Sequence, residues 1–81
     1  MNILASGKAV RIDNQYLHVE LADGRIISTP LDWYQELLTA DERDRFNYHF
    51  ICGATGIEWP ALDYHLSIES MLIGVHHQIA A

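Results

Sequence analysis

The sequence predicts an α+β fold: an antiparallel three-stranded β-meander, then two short helices, a further extended segment and a short C-terminal helix. Two patterns carry this prediction. Apolar and polar residues alternate with a period of two over residues 8–29, and the apolar period then lengthens to that of an amphipathic helix. A chain of 81 residues is long enough for one hydrophobic core. We therefore expect a single domain over residues 1–81, with its core at about residues 8–74 and a flexible tail at residues 75–81.

The first part of the chain combines strand alternation with turn chemistry. The alternating apolar positions are Val10, Ile12, Leu17, Val19 and Leu21. Because successive side chains of a strand point to opposite faces, these residues predict one buried face. Residues 13–15 (Asp-Asn-Gln) favour the first turn, and Asp23-Gly24 predicts a two-residue type I′ turn, which needs positive φ at both central residues. Residues 25–28 are expected to form the third strand.

The helical segment follows the meander. Thr29 and Pro30 have the pattern of a helix N-cap followed by proline at the first helical position. The apolar residues with helical spacing are Leu31, Tyr34, Leu37 and Leu38. Residues 39–42 (Thr-Ala-Asp-Glu) match a capping box, which predicts a second short helix that ends at about Phe46. The resulting corner lacks the basic recognition face of a DNA-binding helix–turn–helix.

The last third of the chain predicts extended segments around a turn, then a helix. Aromatic residues alternate over residues 46–52, and Pro60 pushes the residue before it out of the helical region. Residues 53–56 (Gly-Ala-Thr-Gly) lie between these segments and predict a turn; no Gly-Lys-Ser/Thr follows, as a phosphate-binding loop requires. Ser67 precedes a helical run that Gly74 is expected to end.

The charge of the chain is unevenly distributed. The formal net charge is −6, five acids face two arginines within residues 32–45, and no Lys or Arg follows Arg45. Such a field repels phosphates, so direct nucleic-acid binding is not expected. No apolar run approaches the about 20 residues of a membrane span, and the first residues lack a basic region and an apolar core like those of a signal peptide. With Cys52 as the single cysteine, the sequence favours a reducing compartment, and we expect a cytoplasmic protein.

Candidate chemical sites are sparse. Asp63 and His65, joined by His49 or Glu58, are of metal-ligand type, but their spacing lacks the dense pattern of a metal site. The favoured interpretation is that Asp63 closes a turn and His65 lies on the surface. The adjacent pair at residues 76–77 (His-His) falls in the expected tail, where it cannot hold a tight site. We expect no catalytic residue, no metal and no cofactor.

Three other residues have a structural and a functional interpretation. Cys52 is a nucleophile in one and a buried, inert thiol in the other; the absence of a nearby basic residue favours the buried thiol. Trp59 is expected in the core, with its indole N–H bonded to a carbonyl. Trp33 lies off the main apolar stripe and is therefore expected to be partly exposed and available to a partner.

Three ordered patterns together resemble one bacterial family. They are Leu17-x-Val19-x-Leu21-x-Asp23-Gly24-Arg25; Pro30-Leu31-x-Trp33-Tyr34-x-x-Leu37-Leu38-x-Ala40, followed by Arg43; and Gly56-Ile57-x-Trp59-Pro60-x-Leu62-Asp63-x-x-Leu66-Ser67, followed by Leu72. Over about Val10 to Gly74 the chain is similar to the domain-of-unknown-function family 2442. The resemblance implies a small α+β fold in which a β-meander packs against helices, and it implies bacterial and mobile-element settings. It implies no catalytic residue.

The leading hypothesis is a non-enzymatic acidic module that binds a basic surface of a partner protein. If that surface normally holds nucleic acid, the module acts as an inhibitor, as an anti-CRISPR-like phage or mobile-element protein would. The candidate partner-binding residues are Asp32, Trp33, Glu36, Asp41, Glu42 and Asp44. Asp32 and Glu36 are like charges four residues apart, which weakens a helix by about a few tenths of a kcal/mol and suggests a use for them elsewhere.

The sequence also leaves room for functions of two other classes. An antitoxin-like or regulatory half of a bacterial two-gene pair would dock through an open edge strand at residues 8–13 and through apolar surface, with a homodimer left open. A small hydrolase or metal enzyme would need a clustered polar pocket, which the sequence does not indicate.

Overall fold

The structure, a computed structural model, describes residues 6–73. The strands within that range are β1 (Gly7–Ile12), β2 (Tyr16–Leu21), β3 (Ile26–Pro30), β4 (His49–Ile51), β5 (Gly56–Trp59) and β6 (Tyr64–Ser67). The α-helices are α1 (Gln35–Leu38), α2 (Glu42–Phe46) and α3 (Ile68–Ile73). Two 3₁₀ turns, Leu31–Trp33 and Pro60–Leu62, lie between these elements. The predicted α+β fold class is confirmed.

Strands β1, β2 and β3 form the predicted antiparallel meander, in that order. Val10 lies opposite Val19, which in turn lies opposite Ile27, so these three residues share one face of the sheet. On that face Leu17 and Val19 have no exposed surface. The opposite face carries Arg11, His18 and Ser28, which are also aligned across the three strands. The period-two alternation therefore predicted the buried face correctly.

The β2–β3 hairpin corrects the predicted turn. The amide of Leu21 donates to the carbonyl of Arg25 at 2.7 Å, so three residues, 22–24, form the loop in place of two. Gly24 has φ 98°, whereas Asp23 does not have positive φ. A type I′ turn needs positive φ at both central residues. A common alternative is a three-residue loop that ends in a left-handed residue, which is the position that Gly24 occupies here. The Asp-Gly signal therefore located the hairpin correctly but assigned the wrong turn type.

Both predicted helix caps are wrong. Thr29 lies in β3 and is buried, where its hydroxyl shares a 3.1 Å hydrogen bond with the hydroxyl of Tyr34. The hydroxyl of Thr39 donates backwards to the carbonyl of Gln35 at 3.0 Å, so Thr39 ends α1 and does not begin α2. In each case the threonine hydroxyl bonds to another group, the hydroxyl of Tyr34 or the carbonyl of Gln35, and not to the backbone amide that it was expected to cap. Asp41 stands at the N-cap of α2 without a side-chain hydrogen bond.

The apolar stripe of the helical segment was predicted correctly. Leu31, Tyr34 and Leu37 are each at most 1% exposed. The segment is not one continuous helix, because the backbone of Tyr34 (φ −123°, ψ 86°) separates the 3₁₀ turn Leu31–Trp33 from α1. The spacing of the three side chains nevertheless keeps all of them in the core on both sides of this break.

A second antiparallel sheet follows, in the order β4-β5-β6. The extended segments around residues 50 and 58 were expected, but β6 and the pairing of the three strands were not predicted. His49 lies opposite Glu58, and Glu58 lies opposite His65, so the exposed face of the sheet carries this polar row. The inner face carries Ile57 and Trp59, which have no exposed surface.

A left-handed loop, Cys52 to Ala54, joins β4 to β5. Its three residues have φ values of 54°, 66° and 69° in chain order. The carbonyl of Ala54 accepts a 2.7 Å hydrogen bond from the amide of Gly7, and the carbonyl of Thr55 accepts one of 3.0 Å from Ile68. These bonds connect the loop to β1 and to α3. The loop also turns Cys52 outward, so the prediction of a buried thiol is wrong.

The outer edge of β1 is partly covered. The amide of Gly7 bonds to the loop described above, and the amide of Val10 donates to the hydroxyl of Tyr48 at 3.1 Å. A Cβ atom at Gly7 would collide with the ring of Phe50, which shows how closely the second sheet approaches this edge. The expectation of an open edge over residues 8–13 is therefore wrong at Val10, because a side chain already occupies the position where an added strand would bond.

Both sheets and the helices α1 and α3 contribute to one hydrophobic core. Its buried members are Leu17, Val19, Leu21, Leu31, Tyr34, Leu37, Ile57, Trp59, Leu66, Ile68 and Met71. As expected, Trp59 lies in this core, and its indole N–H donates to the carbonyl of Arg45 at 3.1 Å. Two features expected from the sequence, the helix end at Gly74 and the tail at residues 75–81 with its histidine pair, lie outside the described residues.

Among residues 6–73, no helix has the length and apolar character that crossing a membrane requires.

Arg45 joins the helical segment to the second sheet. Its Nε donates to the carbonyl of Leu37 and its Nη2 to the carbonyl of Leu38, both at 2.9 Å. These carbonyls belong to the last turn of α1, where intrahelical donors are lacking. Since the carbonyl of Arg45 also accepts the bond from Trp59, this one residue connects α1, α2 and β5.

We predict that Arg45→Ala lowers the free energy of unfolding by about 2 to 3 kcal/mol, because two part-buried, charge-assisted hydrogen bonds are lost. Arg45→Lys should recover part of this loss, since an ammonium group keeps the charge but not the planar pair of donors. Arg43→Ala, at an exposed position two residues away, is the matched control and should stay within about 0.5 kcal/mol of the wild type. Urea denaturation measures all three, and equal stabilities of the two alanine variants would contradict the role given to Arg45.

Candidate functional site

The acidic segment consists of the five carboxylates expected to bind a partner: Asp32, Glu36, Asp41, Glu42 and Asp44. The first four side chains are exposed, and Asp44 is half-buried. Asp32 and Glu36 lie on either side of the backbone break at Tyr34. Asp41, Glu42 and Asp44 lie at the start of α2, where the amide of Asp44 donates to the carbonyl of Asp41. A helix N-terminus favours such acids.

None of these five carboxylates forms an ion pair with another residue of the described part of the chain. The ion pairs found there are Lys8–Glu20, Asp13–His18, Asp23–Arg25 and His49–Glu58. Of the two arginines in the segment, Arg45 donates the hydrogen bonds of its guanidinium to backbone carbonyls, and Arg43 forms no ion pair within residues 6–73. The negative charge of the segment is therefore not neutralised by its own arginines.

Trp33 accompanies the acidic segment. It is half-buried, packs against the hydrophobic core and makes an edge-on contact with the ring of Tyr34, with centroids 6.3 Å apart. The expected partial exposure is confirmed. A tryptophan in this position presents part of an aromatic surface while the rest of its ring is held in place.

The negative charge of Glu36 affects the pKa of a tyrosine in the second sheet. Burial raises the pKa of Tyr64 to about 12, and the negative charge of Glu36 contributes to the rise. The ring of Tyr64 packs against Trp59 with centroids 5.9 Å apart. The acidic segment therefore lies close enough to β6 for its field to act on a residue there.

A cleft of about 340 Å³ lies beside the acidic segment, between the β1–β2 turn and the helical segment. It is lined by Asn14, Gln15, Tyr16, Pro30, Leu31, Asp32 and Leu38. Of the six candidate partner-binding residues, Asp32 alone is among these lining residues. The sequence does not reveal the cleft, because its two walls, residues 14–16 and residues 30–38, are separated in the chain and only the fold brings them together.

A hydrogen-bonded chain of Asp13, His18 and Ser28 crosses the outer face of the first sheet. The Nε2–H of His18 donates to Asp13 at 2.9 Å, which leaves Nδ1 to accept from the hydroxyl of Ser28 at 2.6 Å when the ring is neutral. These residue types also form the triads of acyl-transfer enzymes. Here the neighbouring recess measures about 40 Å³ and Ser28 is not among its lining residues, so this recess does not place a substrate beside the Ser28 hydroxyl. We interpret the hydrogen-bonded chain as a device that holds the β1–β2 turn.

The residues considered as metal ligands have other contacts. The Nε2 of His49 donates to Glu58 at 2.9 Å, and His65 is exposed on the neighbouring strand. Asp63 has left-handed backbone (φ 52°) and ends the 3₁₀ turn that follows Pro60, as its expected role in closing a turn requires. Across residues 6–73, no group of three or more His, Cys, Asp or Glu side chains is arranged to hold a metal ion.

We predict that Asp13 makes the stability of the protein depend on pH below pH 4. The hydrogen bond from His18, followed by the amides of Gln15 and Tyr16, lowers the pKa of Asp13 from the ordinary 3.8 to about 2. Because the folded-state pKa lies below the unfolded one, the stabilisation is complete above pH 4 and is lost as the pH falls to about 2. Thermal unfolding from pH 6 to 2 should show a stability difference between wild type and Asp13→Asn that disappears at the acid end. A constant difference would contradict this role.

We further predict that Glu36→Gln lowers the pKa of Tyr64, because removing the negative charge makes the tyrosinate less unfavourable. Titration of the Tyr64 ring resonances above pH 10 measures the shift. Asp44→Asn changes the net charge equally and serves as the control, since Asp44 is not among the groups that act on Tyr64. Identical Tyr64 titrations in the wild type and the Glu36 variant would show that the two side chains do not interact.

Comparisons with known proteins identify the family of this chain. A model of the family described as "Protein of unknown function (DUF2442)" matches residues 8–77. A crystal structure of a protein of unknown function from Rhodospirillum rubrum has a similar fold, with a TM-score of 0.76 and 22% identity over 89% of each chain. No curated protein matches the chain. At this identity the structural likeness concerns the fold alone, but the family model spans most of the sequence, and the chain therefore belongs to the family DUF2442.

Proposed function

We propose that this chain is a non-enzymatic binding module that occupies a basic surface of a partner protein in the cytoplasm. The contact would be made by the acidic segment together with Trp33. One observation carries the proposal: five carboxylates lie in 13 consecutive positions, from Asp32 to Asp44, and none is ion-paired within the described part of the chain. Like charges that lie near one another lower the stability of the fold. A positively charged partner would relieve this repulsion, and that gives the carboxylates a function.

The electrostatics favour a partner that is bound quickly and in a salt-dependent manner. The net charge of −6 draws a basic surface towards the module over distances comparable to the Debye length, about 8 Å at physiological ionic strength. If that surface normally holds nucleic acid, the module competes with the phosphates and acts as an inhibitor. An anti-CRISPR-like protein of a phage or mobile element would act in this way.

The alternative function, an antitoxin-like or regulatory half of a two-gene pair, relies on an open β1 edge. Tyr48 and the loop at Ala54 bond to amides along that edge, at Val10 and at Gly7. An incoming strand would have to displace both contacts before it could form its own hydrogen bonds. The acidic segment needs no such rearrangement, and we therefore favour the charge-based proposal.

We predict that reversing two charges of the acidic segment abolishes partner capture. The test variant is Glu36→Lys/Glu42→Lys, at exposed positions of the segment. The matched control is Asp23→Lys/Glu69→Lys, also exposed, which changes the net charge by the same amount outside the segment. Immobilised wild-type protein should capture its partner from a host extract at low salt and release it at 1 M salt, where the Debye length is about 3 Å.

The control variant should retain at least half of the captured partner, whereas the test variant should lose at least nine-tenths. Equal retention by both variants, or capture that persists at 1 M salt, would contradict the proposal. Circular dichroism of each variant confirms that the fold is intact, as expected for substitutions at exposed positions.

A further inference from the structure

The cleft beside the acidic segment has a fixed frame. The amide of Leu31 donates to the carbonyl of Gln15 at 2.8 Å, which ties the β1–β2 turn to the start of the helical segment. On the other side of the turn, Asp13 accepts hydrogen bonds from the amides of Gln15 and Tyr16 at 2.8 and 2.7 Å. Hydrogen bonds therefore fix the β1–β2 turn and tie it to the start of the helical segment. A volume of about 340 Å³ is near the lower limit for ligand pockets and suits a single long side chain.

The lining of the cleft combines one negative charge with an aromatic ring and an apolar floor. Asp32 is exposed and supplies a carboxylate, and Tyr16, whose ring supplies the aromatic surface, is 42% exposed as a residue. Pro30 and Leu38 are half-buried apolar residues on the opposite wall. The side-chain amide of Asn14 makes no hydrogen bond within residues 6–73 and is exposed. None of the lining residues is positively charged.

We propose that this cleft binds the side chain of an arginine on the partner protein. A guanidinium is planar, so it can stack on the Tyr16 ring while it donates two parallel hydrogen bonds to the carboxylate of Asp32. Its three methylene groups pack against Pro30 and Leu38, as the stems of long basic side chains do on apolar surface. A lysine fits less well, because its ammonium is compact, more strongly hydrated and cannot form the paired hydrogen bonds.

This inference rests on the proposed function, since an arginine is what a basic partner surface would offer. It also extends that function, because it replaces general charge attraction with one defined contact. The remaining carboxylates, from Glu36 to Asp44, would then accelerate the encounter, whereas Asp32 and Tyr16 would select the residue that is bound.

The test uses Nα-acetyl-arginine amide as the probe and follows its titration into the ¹⁵N-labelled full-length protein by NMR. We expect saturable shifts of the side-chain amides of Asn14 and Gln15 and of the backbone amides of Tyr16 and Leu31. Nα-acetyl-lysine amide should bind at least fivefold more weakly. Asp32→Asn and Tyr16→Leu should each weaken arginine binding at least fivefold, and neither substitution removes a buried core side chain. Glu69→Gln, at an exposed position outside the acidic segment, changes the net charge as Asp32→Asn does and should change affinity less than twofold.

Three results would overturn the assignment of the cleft: no saturable shift of its lining residues, equal binding of the lysine probe, or equal weakening by Asp32→Asn and Glu69→Gln. The capture experiment separates this inference from the function it rests on. Capture that depends on Glu36 and Glu42 but survives Asp32→Asn would keep the charge-based function and refute the arginine pocket. Arginine binding that depends on Asp32, with capture unaffected by the double charge reversal, would keep the pocket and refute the function of the wider acidic segment.

Discussion

The guanidinium of Arg45 satisfies the carbonyls at the end of α1, and the carbonyl of the same residue accepts the indole proton of Trp59. Because these bonds fix α1 and α2 against the second sheet, they determine which way the helical segment faces. They also have an electrostatic consequence. A cation within the segment of highest negative charge donates to backbone oxygens and forms no ion pair with the neighbouring carboxylates. Fold stability and surface charge are thus linked through a single side chain.

Local patterns predicted the parts of the fold that depend on periodicity. Alternation identified the buried face of the first sheet, and helical spacing identified Leu31, Tyr34 and Leu37 as core residues even though the helix is interrupted. Details that depend on competition between partners were not predictable in this way. The hydroxyl of Thr29 has a local capping position available but bonds to the hydroxyl of Tyr34, and that of Thr39 bonds back to the carbonyl of Gln35, four residues earlier in the chain.

The second sheet and the cleft could not be predicted from the sequence, for a similar reason. Strand β6 (Tyr64–Ser67) is short and mixed in polarity, and its assignment depends on pairing with β5, which no local pattern encodes. Acidic residues could be found by counting, and Trp33 by its position off the apolar stripe. The cleft could not, because Tyr16 and Asp32 become neighbours of one cavity only when the first turn packs on the helical segment.

The left-handed loop from Cys52 to Ala54 has a practical consequence. Each non-glycine residue in this conformation costs about 1 to 2 kcal/mol, and the hydrogen bonds from Gly7 and Ile68 to Ala54 and Thr55 help to offset this cost. It exposes the single thiol of the chain two residues before Ala54, whose carbonyl bonds to the first sheet. Cys52 is not a lining residue of the cleft. A fluorophore attached to this thiol would therefore report on separation of the sheets while leaving the arginine pocket unmodified.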